Sequence, residues 1–213
     1  MMRQRQARPP EREPTVFVVD DEADVRDALE MLIASMGLAV QTFESAGAFF
    51  DAVPPHRPGC LILDVRLPGM SGLAAQQELQ RRGIGLPVVF ISGHGDIPMA
   101  VRAVQAGALD FLEKPFSDQA LLDCIERALA EDRERRARAA RRAGMESAME
   151  TLTPREREVL DKLVEGKVNK IIARELDVST RTVEIHRARV LQKMGVRNAS
   201  QLVRRVLTGI DDD

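Results

Sequence analysis

The sequence predicts an α/β domain built on a parallel sheet, followed by a smaller all-α domain. Four short apolar runs in the first part of the chain are separated by helical patterns, and each ends in a reactive polar residue. Such runs are typical of strands buried on both faces of a parallel sheet. Residues 151–213 show only helical patterns and carry a net charge of +3, whereas residues 1–128 carry −6 and all seven Phe residues. The contrast predicts two domains with different partners.

The composition excludes several classes of protein. Of the 213 residues, 44% are hydrophobic, yet no apolar stretch approaches the roughly 20 residues that span a membrane. Residues 1–13 are polar and rich in Arg, Glu and Pro, which predicts a disordered leader rather than a signal peptide. Cys60 and Cys124 fall in a strand and a helix pattern, which favours core thiols in a reducing compartment over a disulfide. We therefore expect a cytoplasmic protein with no membrane partner.

The α/β domain is predicted to span residues 14–129. Four of its strands are the short apolar runs at 16–19, 60–63, 88–91 and 108–112, and a further short strand is predicted at 40–43. One amphipathic helix lies between Asp20 and Gly37, and further helical patterns follow at 45–53, 72–82, 97–106 and 117–130. This alternation predicts a five-stranded parallel sheet with helices on both faces, for which the flavodoxin-like strand order 2-1-3-4-5 is the commonest solution.

Reactive side chains follow the predicted strands at the point where each strand ends. They are Asp20, Asp21, Asp64, Ser92 and Lys114. Ligands bind beyond the carboxyl ends of the strands in such sheets, so these side chains should gather at one edge. Two carboxylates about 4 Å apart repel each other by roughly 4 kcal/mol, and Mg²⁺ would relieve that repulsion. The pattern indicates phosphate chemistry, with Asp64 as the nucleophile that becomes an aspartyl phosphate, while Lys114 and Ser92 contact the phosphoryl oxygens.

These motifs resemble the receiver domain of bacterial two-component response regulators. The resemblance rests on Asp20-Asp21, Asp64 with Pro68-Gly69-Met70-Ser71-Gly72, Ser92, and Lys114-Pro115. Residues 92–101 and 110–116 are most similar to the FixJ-like branch of the family. The resemblance implies that a sensor histidine kinase phosphorylates Asp64, and that Lys114-Pro115 is a cis bond, which is largely confined to X–Pro.

The same resemblance implies roles for the remaining residues of the site. Asp21, Asp64 and the Arg66 carbonyl would bind magnesium directly, and Asp20 would bind it through water. Ser92, Phe111 and Lys114 would sense the phosphoryl group. Ser92 stands where Thr is more frequent in the family, and Phe111 stands where Tyr is more frequent. Phe111 can therefore rotate inward but cannot form a hydrogen bond there.

Each receiver motif also has a simpler interpretation. Asp20-Asp21 alone is compatible with an Asx turn or a helix cap, and Lys-Pro alone is a weak signal. Five motifs at successive strand ends make a shared site the better explanation. His94 lies between two glycines and is interpreted as a loop residue. Together with His56 and His186 it lacks the spacing of a zinc site.

Residues 130–150 are predicted to form a helical linker. They are strong helix formers, and pairs such as Glu131–Arg135 and Asp132–Arg136 have the favourable i,i+4 orientation. We expect a solvated helix that continues the last helix of the α/β domain and ends near Gly144. A fraying tether remains an alternative. Arg141 and Arg142 are interpreted as solvated charge rather than as contacts to DNA.

The all-α domain is predicted to span residues 151–211 and to contain four helices. Thr153-Pro154-Arg155-Glu156 has the sequence of a capping box with Pro at the first helical position. That helix should end at Gly166 and be followed by a short helix at 169–176. Ser179 can cap a third helix that runs to about Met194. The fourth is expected at 198–208. A short helix, a tight turn and a longer basic helix predict a helix-turn-helix.

The third helix is predicted to read bases in the major groove of double-stranded DNA. Val183, Val190 and Met194 should pack inward, while Ile185 and Ala188 point outward among polar side chains and can contact thymine methyl groups. The predicted DNA-contact residues are Lys170, Arg181, Thr182, Glu184, Ile185, Ala188, Arg189 and Lys193. Arg187 falls near the inward edge, where we expect its head to pair with a carboxylate.

This region resembles the LuxR-type DNA-binding domain. The resemblance rests on residues 153–160, 169–173 and 179–186. It implies that the third helix enters the major groove and that the fourth forms much of a dimer contact. Leu202 and Val206 are the candidates for that contact, although core packing is the more natural single role for Val206.

The two halves together predict a transcription factor controlled by phosphorylation of Asp64. Phosphorylation would promote formation of a homodimer and promoter binding, with RNA polymerase as a further partner. The chain is not expected to be an enzyme beyond its own phosphorylation and dephosphorylation. One alternative is a phosphate sink whose C-terminal module binds protein. Another is a constitutive DNA-binding protein with a vestigial receiver.

Overall fold

The computed structural model describes residues 13–93 and 97–208. Nearly all of the predicted leader, His94 and the last residues of the predicted all-α domain lie outside these ranges. The chain divides into two compact units, residues 1–134 and 135–213. No helix within the described ranges is long and apolar enough to cross a membrane.

The first unit is a five-stranded parallel sheet with helices on both faces. The strands are β1 (Thr15–Val19), β2 (Ala39–Phe43), β3 (Gly59–Asp64), β4 (Val88–Ser92) and β5 (Asp110–Glu113). The helices are α1 (Ala23–Ser35), α2 (Ala46–Ala52), α3 (Gly72–Arg81), α4 (Ile97–Gln105) and α5 (Asp118–Glu150). The strands follow the order β2-β1-β3-β4-β5, which confirms the predicted fold class and topology.

Alternate residues of the central strands pack into two separate apolar layers. In β1, Phe17 and Val19 contact the layer formed with α2, α3 and α4, whereas Val16 and Val18 contact the layer formed with α1 and α5. Successive side chains of a strand point to opposite faces, so strands covered on both faces must be apolar throughout. Three of the phenylalanines, Phe17, Phe43 and Phe49, pack edge-on or tilted against one another, which makes the first layer the aromatic one.

Helices α3 and α4 are joined by side-chain amides. Nε2 of Gln76 donates to the Ala106 carbonyl at 3.1 Å and to the Ala103 carbonyl at 3.5 Å. Gln80 Nε2 also donates to Ala106, at 2.8 Å. The last carbonyls of a helix have no partner within the helix, and these amides supply donors at the carboxyl end of α4. We refer to Gln76 and Gln80 as the glutamine clamp.

Helix α5 is longer than the sequence predicts. It ends at Glu150 and contains Gly144, so the predicted end near Gly144 is wrong. A single glycine inside a helix costs about 1 kcal/mol, and beyond it Met145, Ala148 and Met149 pack against the core of the second unit. The expectation of a wholly solvated helix is also wrong at Asp132, which is buried and accepts a hydrogen bond from the Gly59 amide at 3.0 Å.

Up to residue 208, where the described part of the chain ends, the second unit has four helices after the end of α5. They are α6 (Pro154–Val164), α7 (Asn169–Glu175), α8 (Thr180–Lys193) and α9 (Ala199–Thr208). The predicted capping box is present, with Thr153 and Glu156 each accepting the other's backbone N–H. Asp177 has a φ of 53° in the turn between α7 and α8, a left-handed conformation that Asp tolerates better than most residues. The helix-turn-helix is therefore built around a tight turn.

Candidate functional site

The register of the sheet brings the predicted receiver residues to one edge. Val19 of β1 pairs with Leu63 of β3, so Asp20 and Asp64 follow paired positions on neighbouring strands. Ser92 of β4 pairs with Glu113 of β5, and Lys114 follows directly. The Lys114 amide donates to the Ser92 carbonyl at 2.8 Å, which fixes the start of the loop that carries the lysine.

Lys114 bridges the two buried carboxylates of the site. Its Nζ lies 2.8 Å from Asp20 Oδ2 and 3.4 Å from Asp64 Oδ1. Asp20 is fully buried and Asp64 is 6% exposed. The second oxygen of each carboxylate accepts a backbone N–H, from Glu22 at 2.9 Å and from Arg66 at 2.6 Å. Buried charges need such partners, so both carboxylates are held in fixed orientations.

Backbone features position Asp64 and Lys114. The Lys114–Pro115 peptide bond is cis, as the resemblance to receivers implies. After Asp64 the chain turns into α3, and Gly72 approaches so closely that a Cβ there would lie 2.3 Å from the Asp64 carbonyl oxygen. The Gly72 amide also donates to the Val65 carbonyl at 3.0 Å. Only glycine fits this approach.

Arg26 is a structural residue of the site that sequence reasoning missed. Its Nη1 donates to the carbonyl of Asp20 at 2.8 Å and to that of Asp21 at 2.9 Å. An arginine in the first turn of a helix interacts unfavourably with the helix dipole. This unfavourable position could have indicated from the sequence that Arg26 makes a compensating contact. The Arg26 guanidinium ties down the loop that carries both acidic residues.

The surroundings of Asp64 and Lys114 raise the pKa of both side chains. Burial raises the pKa of Asp64, only partly opposed by the Arg66 amide and the charge of Lys114, while the nearby Asp20 raises it further. For Lys114, burial lowers the pKa, but the hydrogen bond to Asp20 and the charges of Asp20 and Asp64 outweigh it, so its pKa is raised. Lys114 is therefore an ammonium ion at neutral pH.

The residues at this edge of the sheet offer oxygen ligands of the kind that a hard divalent cation prefers. Asp20, Asp21 and Asp64 supply carboxylate oxygens, and Arg66 supplies a backbone carbonyl. Mg²⁺ prefers such oxygen donors. Within the described ranges, no three His, Cys, Asp or Glu side chains converge closely enough to hold a metal, and Asp21 is exposed. The donor set fits magnesium in kind, with Asp20 and Asp64 linked by the Lys114 ammonium.

The two predicted switch residues occupy different environments. Ser92 is buried, at 1% exposure, on the strand next to Asp64. Phe111 is half-buried and packs with Met99 against the aromatic layer of the core. Phe111 therefore shares its packing surface with Met99 of α4.

Helix α8 presents the predicted polar face. Ser179 caps its N-terminus by accepting the Thr182 amide at 3.0 Å. Val183 and Val190 are buried, and Ile185 is 47% exposed. The other exposed members of the predicted contact set are Lys170, Arg181, Glu184, Ala188, Arg189 and Lys193. An exposed isoleucine on a helix with this many arginines is typical of a surface that meets DNA.

Two residues of the second unit, Arg187 and Leu202, have different roles from those predicted, and Lys193 has partners inside the unit. Lys193 donates to Glu156 Oε2 at 2.6 Å and to the Thr151 carbonyl at 2.8 Å, so its charge is engaged inside the unit. Arg187 donates to the amide oxygen of Asn169 at 2.9 Å, and the predicted carboxylate partner is wrong. Leu202 is fully buried in the core, so the predicted dimer contact is wrong for this residue.

Val206 packs against the core of the second unit, the more natural of the two roles considered for it. It is half-buried and lies against the apolar core of the second unit. Helix α9 therefore contributes its apolar side to the core.

Comparison with known protein families matches both units. The response regulator receiver domain matches residues 16–126, and the luxR family of bacterial regulatory proteins matches residues 150–206. The transcriptional regulatory protein TdiR of Thauera aromatica is 46% identical over 195 residues, which cover 92% of this chain and 86% of TdiR. FixJ of Bradyrhizobium diazoefficiens is 41% identical over 189 residues, which cover 89% of this chain and 92% of FixJ.

Solved structures agree with these matches. The response regulator StyR is 47% identical, with a TM-score of 0.83 over 91% of this chain and 98% of StyR. Full-length FixJ from B. japonicum is 41% identical, with a TM-score of 0.57 over 90% of this chain and 94% of FixJ. The chain belongs to the two-component response regulators that join a receiver domain to a LuxR-type DNA-binding domain. Its homologues are transcriptional regulators.

Proposed function

We propose that this response regulator controls transcription through kinase-dependent phosphorylation of Asp64. The main observation in support of this proposal is the contact of the Lys114 ammonium with both Asp20 and Asp64. This arrangement places one nucleophilic oxygen beside one fixed positive charge. The same chain carries helix α8, whose polar face and exposed Ile185 suit the major groove.

Phosphoryl transfer to Asp64 is chemically balanced. The Asp64 carboxylate attacks the phosphorus of a phosphohistidine on a sensor histidine kinase, so a P–O bond forms as the P–N bond breaks. The raised pKa of Asp64 marks a carboxylate that burial stabilises poorly as an anion, and bonding to phosphorus removes that charge from its oxygen. Lys114 then pairs with the phosphoryl oxygens instead of with the free carboxylate.

Asp20, Asp21, Asp64 and the Arg66 carbonyl form the proposed magnesium site. Bound Mg²⁺ supplies positive charge that offsets the repulsion among the carboxylates and the incoming phosphoryl group. The carbonyl contacts of Arg26 hold the loop with Asp20 and Asp21 in place.

The switch is proposed to act on dimerisation of the receiver. Ser92 would donate to a phosphoryl oxygen, and Phe111 would rotate inward behind it. On α4, Val101 and Val104 are 47% and 53% exposed and lie three residues apart, on one side of the helix. These valines support a homodimer contact through α4 and β5. Moving a two-state switch from 1% to 99% active takes roughly 5.5 kcal/mol of differential stabilisation.

The proposed DNA contacts fall into two groups. Ile185, Ala188 and Glu184 face base edges, whereas Lys170, Arg181, Thr182 and Arg189 contact the backbone and flanking positions. Lys193 is left out because its ammonium is paired with Glu156. RNA polymerase is the proposed further partner at the promoter.

Selection of bound DNA with and without acetyl phosphate and magnesium tests the proposal. We expect phosphorylated protein to enrich a site with two half-sites, as a homodimer requires, and Asp64→Asn protein to enrich it no better with the donor than without. The same enrichment with and without acetyl phosphate would mean a constitutive DNA-binding protein. Recovery of no sequence, with binding insensitive to salt, would favour the phosphate sink with a protein-binding module.

A further inference from the structure

The most basic segment of the chain lies in α5, before the helix-turn-helix. Residues 133–142 contain six Arg and one Glu, and no Lys. All ten belong to α5. A solvated helix needs charge of either kind, but the planar guanidinium fork of Arg matches phosphate oxygens in a way that the lysine ammonium does not. The net charge of +5 over these ten residues, six Arg against one Glu, is the first indication of a phosphate-bearing partner.

The carboxyl end of α5 is fixed to the DNA-binding unit. Met145, Ala148 and Met149 pack against its core, and Arg157 of α6 donates to the Met149 carbonyl at 3.0 Å. Residues 135–150 accordingly belong to the same compact unit as α8. Arginines on this part of α5 are therefore carried by the unit that is proposed to bind DNA.

Two of these arginines continue the apolar stripe toward the amino end of α5. Arg138, Arg141, Met145 and Ala148 are spaced by three or four residues, which places them on one side of a helix. Arg138 and Arg141 are exposed. We call them the stripe arginines. Arg133 and Arg136 are also three residues apart but lie on a different side of the helix.

We propose that the stripe arginines bind backbone phosphates of DNA that flanks the site read by α8. The inference rests on the proposed DNA binding of the second unit and adds a second, sequence-independent contact to it. Arg142, next to them, pairs with Glu146 at 2.9 Å, but both side chains are more than half exposed. Exposed pairs of this kind contribute little, so Arg142 can exchange its carboxylate for a phosphate.

The competing explanation is that the arginines only keep the helix soluble. Intrahelical pairs with glutamate would then satisfy them, and DNA would not change their environment. The two explanations differ in salt dependence, because each phosphate contact adds about 0.9 to the slope of log affinity against log salt concentration. A solvated arginine adds almost nothing to that slope.

The test compares full-length wild-type protein with R138Q/R141Q on a labelled random-sequence duplex of about 40 base pairs, nearly four turns of DNA. Phosphate contacts do not depend on sequence, so a random duplex reports them. We expect the slope to fall in magnitude by about 1.8 in R138Q/R141Q, the value for two lost phosphate contacts. R138K/R141K should keep most of the wild-type slope, because lysine also neutralises phosphate.

R133Q/R136Q is the matched control. It removes the same charge at the same spacing in the same helix, but on a different side and nearer the amino end, where Arg133 belongs to the first unit. Its slope should stay close to that of the wild type. Glutamine is a strong helix former, and circular dichroism of each variant verifies that α5 is intact.

Two results would overturn the inference. If R138Q/R141Q keeps the wild-type slope, the stripe arginines are solvated. If R133Q/R136Q loses as much slope as R138Q/R141Q, only the overall charge matters and no stripe contacts DNA. Failure of the proposed function is distinguishable, because the wild-type protein itself would then show no salt-dependent binding to the duplex.

Discussion

Nζ of Lys193, the last residue of α8, lies 2.6 Å from Oε2 of Glu156 in the first turn of α6. The same Glu156 oxygen accepts the Thr153 amide at 2.9 Å. One buried carboxylate therefore caps α6 and holds the carboxyl end of the proposed recognition helix. The orientation of α8 depends on a residue that is distant in sequence.

Replacing Lys193 should reduce stability rather than remove a DNA contact. Lys193→Met keeps much of the side chain's bulk but leaves Glu156 without its cation, and an unpaired buried carboxylate is costly. We expect the melting temperature of the second unit to fall by several degrees, while the salt slope of DNA binding at low temperature stays close to that of the wild type. Arg189→Gln is the contrasting variant, with the slope reduced by about 0.9 and the melting temperature nearly unchanged. A large loss of slope in Lys193→Met would restore Lys193 to the DNA contacts.

The same pair makes the second unit sensitive to acid. The hydrogen bond from Lys193, with that from the Thr153 amide, lowers the pKa of Glu156 from 4.5 to about 2. A carboxyl group with a lower pKa in the folded state contributes stability above its unfolded pKa and loses it as the pH falls through the folded value. The contribution of Glu156 should therefore be complete above about pH 5 and disappear toward pH 2.

Thermal unfolding of wild-type and Glu156→Gln protein across this pH range measures the effect. The difference between the two melting temperatures should be largest near neutrality and shrink as the pH falls toward 2. A difference that does not change with pH would show that Glu156 acts through its shape and not through its charge.

Asp64→Asn should stabilise the receiver at neutral pH. Burial raises the pKa of Asp64 above its ordinary value, so the folded state holds the proton more tightly than the unfolded state. The ionised group then costs stability once the pH exceeds the unfolded pKa, and the amide avoids that cost. We expect the melting temperature to rise at pH 7 and to change little near pH 3. A lower melting temperature at pH 7 would contradict the assigned direction of the shift.

The glutamine clamp can be tested with a matched pair of variants. Gln76 is buried and donates to the carboxyl end of α4, whereas its neighbour Gln77 is exposed. Gln76→Ala should cost about 0.5–1.5 kcal/mol, the net value of a lost hydrogen bond, because Ala106 keeps its bond from Gln80 and Ala103 keeps the bond from the Ala108 amide. Gln77→Ala should change the free energy of unfolding by less than about 0.5 kcal/mol. Denaturant unfolding of both variants gives the comparison, and equal effects would show that the clamp is without consequence.

The sequence predicts the receiver well for identifiable reasons. The runs that form β1, β3 and β4 are apolar throughout because both faces of the sheet are covered, and their short length and β-branched residues favour strands over buried helix segments. Once the strands are parallel, Asp20, Asp64 and Lys114 must meet at one edge. The convergence of the charges therefore follows from local patterns, whereas the order of the strands is predicted as the commonest order for such a sheet.

The sequence does not predict contacts between distant elements. The partner of Lys193 lies in another helix, and the partner of Arg187 is Asn169 rather than a carboxylate. Leu202 has the same apolar character whether it fills a core or forms a dimer contact, and burial alone decides between the two roles. Gly144 is a stop signal in isolation but lies within α5 because the residues beyond it pack against the core.

Helix α3 joins two parts of the receiver that have no direct connection in sequence. Its first residue, Gly72, lies against the backbone of Asp64, and its glutamines reach the carboxyl end of α4. Ten residues of α-helix are about 15 Å long and bend little. Helix α3 thus contacts the proposed phosphoacceptor at its amino end and α4 at its carboxyl end. We expect a displacement of the Asp64 loop to shift α3, and with it the contacts to the helix that bears Val101 and Val104.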